Sequence, residues 1–172
     1  MALSAYMSAV NQKLLFAAQL LATEIKASVG GQQDSHQATA VAQSVVLQLQ
    51  RAWHWHLQDV ASNYKMQDPE AVISAASLLT LLGDEGKTPG EAIELHDLAA
   101  DKYSWVGQLL NAHRHLYIVP VARKAEMDAN RLPMIAVDVS GDPMDWNISQ
   151  ARIWLDKMQE LVNRHRDMMI EF

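Results

Sequence analysis

Residues 35–64 read SHQATAVAQSVVLQLQRAWHWHLQDVASNY, and the spacing of their apolar side chains decides the fold class. Ala38, Val41, Ala42, Val45, Leu49, Ala52, Trp53, His56 and Val60 recur three and four apart, the period of one buried helical face. The pattern predicts a long amphipathic helix from Ser35, a suitable N-cap, to Tyr64.

The same reading extends toward both ends of the chain. Upstream, Leu3, Met7, Val10, Leu14, Ala17, Leu21 and Ile25 alternate by four and three over residues 3–29, and Gly30 and Gly31 close that helix. Downstream, Asp68 before Pro69 has the form of a helix start and predicts a third helix from Pro69 to Leu82, closed by Gly83. Thr88, Pro89, Gly90 and Glu91 have capping-box spacing and predict a fourth helix, with a restart near Asp101 to Ser104 and a further helical stretch to Tyr117. From Pro120 to Asn147 the period disappears. A connection of about 27 residues is unusual inside a compact domain, and Leu132 to Val139 is apolar enough to lie on a bundle as an extended strap. The last helix, capped by Asn147, places Ile148, Ala151, Leu155, Met158, Val162, His165 and Met169 on one face. Four or five amphipathic helices with no strand pair predict an all-α helical bundle forming a single domain over residues 1–172.

Composition narrows the function. The net charge is −6, which disfavours binding to nucleic acid through its backbone; Arg164, His165 and Arg166 are the one basic cluster. There is no cysteine, hence no disulfide and no thiolate metal site. The N-terminal apolar stretch is broken by Asn11, Gln12, Lys13 and Gln19, and no window reaches the roughly 18 apolar residues of a membrane span. The expectation is a cytoplasmic protein that engages neither membrane nor nucleic acid.

No phosphate-cradling glycine loop, nucleophile elbow or zinc-protease helix is present, and no Glu-x-x-His of the di-iron type. No cofactor is implied. Histidine is the remaining chemical signal. His54 with His56, and His113 with His115, form two His-x-His pairs, but residues two apart diverge by about 200° on a helix and cannot share an ion. Helical projection turns His56, His113 and His165 inward from three helices, which makes them the candidate metal or polar site. The alternative is three separate core imidazoles at different heights. Arg51 with His56 has an Arg-x4-His spacing that resembles the motif of the HEPN family of helical ribonucleases, although the two residues stand about 140° apart on one helix and the acidic balance opposes an RNA substrate. Trp55 lies about 120° from its helix's apolar centre. It either packs under a neighbouring element or anchors a partner, a dimer interface being the natural use.

Several motifs in order along the chain resemble a small gammaproteobacterial family of unknown function. These are Asn11-Gln12-Lys13-Leu14 with Phe16-Ala17, His56-Leu57, Ser104-Trp105-Val106 with Leu109-Leu110, and Trp154 in the final helix. The chain departs from that pattern at Trp53-His54-Trp55 and at His113. The resemblance implies a bacterial helical protein and carries over no functional residue. The reading that results is a non-enzymatic protein-interaction or scaffold role, through a protein partner or self-association. A ligand- or metal-binding bundle built on the inward histidines is the alternative.

Overall fold

The computed structural model describes residues 4–29, 35–119 and 146–169, the side chains of residues 24–29 and of Ser35 excepted. Among the described residues it has six α-helices and no strand: α1 (Ala5–Val29), α2 (Ser35–Asn63), α3 (Ala75–Asp84), α4 (Gly90–Ala100), α5 (Trp105–His115) and α6 (Ile148–Met169). The fold is all-α, as the periodicity predicts. Leu3, the Ile25 side chain, the Gly30-Gly31 terminator and the 120–145 connection with its Leu132 to Val139 strap lie outside the described residues.

Helix α2 is the axis of the bundle and packs against each of the other five helices. Its stripe explains why: Ala42, Val45, Val46, Leu49, Ala52, Trp53, His56, Leu57, Val60 and Ala61 are all buried. Each fully buried large aliphatic side chain there contributes roughly 1.5–3 kcal/mol relative to exposure. Helix α1 runs antiparallel to α2, since Ser4 at its start donates to Asp59 near the end of α2 (2.6 Å). It inserts Val10, Leu14, Ala17 and Leu21. Helix α6 closes the core with Ala151, Trp154, Leu155, Met158, Leu161 and Val162. Its start is the one expected: Asn147 Oδ1 accepts from the backbone N–H of Ser149 and Gln150 (2.9 and 3.2 Å).

Three helix boundaries differ from the sequence reading. Pro69 opens only a 3-10 turn over Pro69–Ala71, and Asp68 makes no side-chain cap bond. The buried, extended Val72 interrupts the chain, its carbonyl taken by the Gln58 side chain (3.3 Å). The third helix starts after Ser74, whose hydroxyl accepts from Ser77 N–H while Ser77 Oγ accepts from Ser74 N–H, a reciprocal capping box. A stronger local cap thus displaces the Asp-Pro signal. At the other end α3 runs past Gly83 to Asp84, and the terminating glycine is Gly86, at φ +75°. Gly86 N–H bonds the Gly83 carbonyl and Lys87 N–H the Leu82 carbonyl (2.9 and 2.8 Å), the paired bonds of a Schellman turn. Finally, α4 begins after Pro89 without a side-chain cap, so the Thr88 box does not form. Glu91 is turned inward and accepts from the Tyr64 hydroxyl instead (2.9 Å).

The restart at residues 101–104 does occur. Ser104 Oγ accepts from Gly107 N–H (2.9 Å) and itself donates to the Leu98 carbonyl, tying α5 to the end of α4. Gly107 is required by close approach: a Cβ there would stand 2.1 Å from the Asp101 carbonyl oxygen. The corner orients α5 so that Val106, Gly107, Leu109 and Ala112 are buried.

Candidate functional site

Three helices converge on a chain of polar groups that runs from the core to the surface. Helix α2 supplies His56 and α6 supplies His165, both fully buried, because each imidazole occupies a core position of an otherwise apolar stripe. Helix α4 supplies Glu94. His56 Nε2 stands 3.0 Å from His165 Nδ1, and His165 Nε2 stands 3.1 Å from Glu94 Oε2. The imidazole centroids are 5.2 Å apart with planes inclined by 27°. That is the spacing of an edge-to-edge N–H···N bond between nearly coplanar rings. The outer end is clamped by Arg164, which donates to both Glu94 oxygens (2.8 and 2.6 Å).

The bonds assign the tautomers. Glu94 as a carboxylate only accepts, so His165 carries its proton on Nε2 and its Nδ1 accepts from His56 Nε2–H. His56 Nδ1 is then a bare acceptor, and it has no partner among the described residues. The electrostatics agree with two neutral rings. Burial, then the repulsion that a protonated His165 and the Arg166 guanidinium would exert, pushes the His56 pKa down to about 3. Burial also lowers His165, against the opposing pull of its bond to Glu94. The Arg164 bond, with His165 adding to it, holds Glu94 at about 2.

Further buried polar contacts surround this chain. Burial, together with the bond to Glu91, raises the Tyr64 hydroxyl to about 12. Asp59 is buried beside Ser4, and burial raises its carboxyl. Arg166 donates to Asn11 Oδ1 (2.7 Å), joining α6 to α1. Chemically, the arrangement orients and joins. Its inner end, His56, meets no solvent, and its outer end, Glu94, has its carboxylate engaged by a guanidinium. Losing one member would leave a buried polar partner unpaired, at a cost of about 1–3 kcal/mol.

Of the three inward histidines of the sequence reading, the structure brings His56 and His165 together. His113 is half-buried and stands edge-on to Tyr117 (5.2 Å, 70°), because the α5 face that packs inward centres on Leu109 and Ala112. The two joined histidines spend their facing nitrogens on each other. Among the described residues no group of three or more His, Asp or Glu is arranged to hold a metal ion. Arg51 is exposed, while its Arg-x4-His partner His56 is wholly enclosed, so the two do not face a common substrate. Glu94, Glu91 and Asp59 escape the sequence reading. The available signal is a carboxylate in register with an apolar stripe: Glu91 one turn before Leu95, and Asp59 three residues after His56.

Trp55 is half-buried against α1, where the Lys13 ammonium lies 5.6 Å from its ring and 5.2 Å from that of Phe16. The surface around it is unusual in charge. The exposed residues of α1 up to Thr23 are Ala5, Ser8, Asn11, Gln12, Leu15, Phe16, Gln19, Ala22 and Thr23, none of them ionisable. Lys13, the one charged residue in that span, is half-buried over the two rings. Residues 35–50 of α2 likewise contain no Asp, Glu, Lys or Arg. Leu15 and Phe16 stand 54% and 38% exposed in the middle of this face. No helix among the described residues is long and apolar enough to cross a membrane.

Residues 5–172 match the model of a family described as a family of unknown function (DUF6586), and the chain belongs to that family. No curated protein and no solved structure matches it.

Proposed function

We propose that this member of a family without an assigned function acts as a cytoplasmic interaction protein, a single helical domain that docks a protein partner on its α1–α2 hairpin. The observation that carries the reading is the outer face of α1 from Ala5 to Thr23, whose exposed residues are all uncharged, with Leu15 and Phe16 at its centre. Depletion of charge with retention of aromatic and aliphatic groups distinguishes the core of an interface from ordinary surface. A solvated helix face elsewhere on this chain looks different: α6 exposes Asp156, Lys157, Glu160, Arg164 and Asp167. The acidic balance suits a protein partner better than nucleic acid. The buried histidine chain supports the reading by bracing the bundle behind the hairpin.

The test is a photo-activated cross-linking residue placed in living cells at Gln12 and, as a control, at Lys157. Adducts at Gln12 and none at Lys157 are expected. Adducts confined to the α6 position would refute the assignment of the face.

A further inference from the structure

The proposed docking face is occupied, we infer, by a second copy of this chain, in a two-fold dimer with α1 against α1. This rests on the assignment of that face as a docking surface and adds the identity of the partner.

The first argument is charge. Two copies each carry −6 and repel at most approaches. The outer face of α1 is where two such molecules meet without bringing like charges together. The second argument is symmetry. Across a two-fold axis a patch faces itself, so the same residues recur on both sides. A charged side chain close to the axis then meets its own sign. An amide both donates and accepts, and an apolar group packs on its like, so both are self-complementary. The face consists of these types: the amides Gln12 and Gln19, with Asn11 at its edge bonded to Arg166, the apolar Leu15 and Phe16, and the small Ala5, Ser8, Ala22 and Thr23. A partner of different sequence would permit complementary charges here, whereas the exposed residues of the face carry none, and the two cations beside it are engaged within the chain, Lys13 over the Phe16 and Trp55 rings and Arg166 on Asn11 and the Met7 carbonyl.

The third argument is size. From Ala5 to Thr23 the face is about 27 Å long; α1 and α2 run antiparallel with Ser4 beside Asp59, so the uncharged residues 35–50 of α2 widen it to about two helix diameters only over its second half. That is a footprint of roughly 400 Å² per copy, about 800 Å² in total, the size of weak, transient interfaces. The dimer is accordingly reversible, with a dissociation constant of roughly micromolar order.

The experiment is sedimentation velocity on the full chain across a concentration series, with Leu15→Glu and Leu15→Lys variants. Leu15 is exposed on a helix, so both replacements leave the fold intact, which circular dichroism verifies. Midway along the face, the two copies of residue 15 come near each other. Each variant alone is expected to weaken association roughly tenfold or more, and an equimolar mixture of the two to restore it by opposite charge. Wild-type protein that stays monomeric up to hundreds of micromolar overturns the self-partner. If cross-links at Gln12 persist in that case, to a protein of another mass, the docking reading stands and only the dimer falls. A dimer whose strength neither variant changes overturns the placement on α1.

Discussion

Acidification should weaken this fold well before Glu94 titrates, and His56 supplies the magnitude. An unfolded histidine takes up a proton near pH 6.5, whereas the native His56 ring resists it down to about 3. With the native pKa depressed, the stability is intact above pH 6.5 and is lost progressively as pH falls toward 3. At pH 5 the unfolded chain is favoured by about 1.5 pH units of proton binding, or about 2 kcal/mol from this ring alone. His165, also lowered, adds in the same direction. Glu94, held at about 2 against an ordinary 4.5, loses its contribution only below that range, and Asp59, whose carboxyl burial raises, is present in both proteins, so the difference between them reports on the histidine pair. The assay is urea unfolding followed by far-ultraviolet circular dichroism at pH 7.5 and pH 5, for the wild type and for His56→Leu. The variant starts from lower stability because His165 Nδ1 loses its donor, but its further loss on acidification should be smaller by about 2 kcal/mol. The histidines that do not touch His56 are common to both proteins and cancel in the difference. Equal acid losses in the two proteins would refute the buried neutral ring.

Two other expectations concern the helix boundaries. Gly107→Ala drives a methyl into the Asp101 carbonyl, a backbone atom that cannot step aside; a loss of about 1–3 kcal/mol or more is expected in the same urea assay, and an unchanged midpoint would contradict the corner geometry. Ser74→Ala removes the hydroxyl that caps α3 and should cost about 1 kcal/mol, while Asp68→Ala, which removes no cap bond, should cost far less. The reverse order would restore the helix start to Pro69.

Much of the architecture is legible in the chain because α1, α2 and α6 are long. Over 20 or more residues, a periodic stripe averages out local exceptions, and Val10, Leu14, Ala17 and Leu21 are buried as their spacing predicts. The short helices are less legible, since a single turn decides where each begins. At α3 the pairing of Ser74 with Ser77 outweighs Asp68-Pro69, and at α4 Glu91 is drawn to Tyr64 instead of back to Thr88. The site divides along the same line. His56 and His165 are visible as polar members of long apolar stripes, but periodicity carries no information on height along the bundle, so their contact is not legible. His113 misleads because it lies on α5, where the packing of Gly107 decides which side faces inward. The scarcity of charge between Ala5 and Thr23 is written openly in the sequence, yet it gains meaning only once the residues there are seen to be exposed and Lys13 half-buried.

The contact between His56 and His165 joins positions 109 residues apart in the chain. During synthesis, therefore, the central helix leaves the ribosome long before the helix that covers it. At the usual pace of about 5–20 residues per second, the interval is on the order of 5–20 seconds. For that time the hairpin can form, but the trough that later receives Trp154, Met158 and His165 stays open to water. The nascent chain is most exposed to mispairing or to chaperone capture in that interval, and its escape from both waits on the arrival of α6.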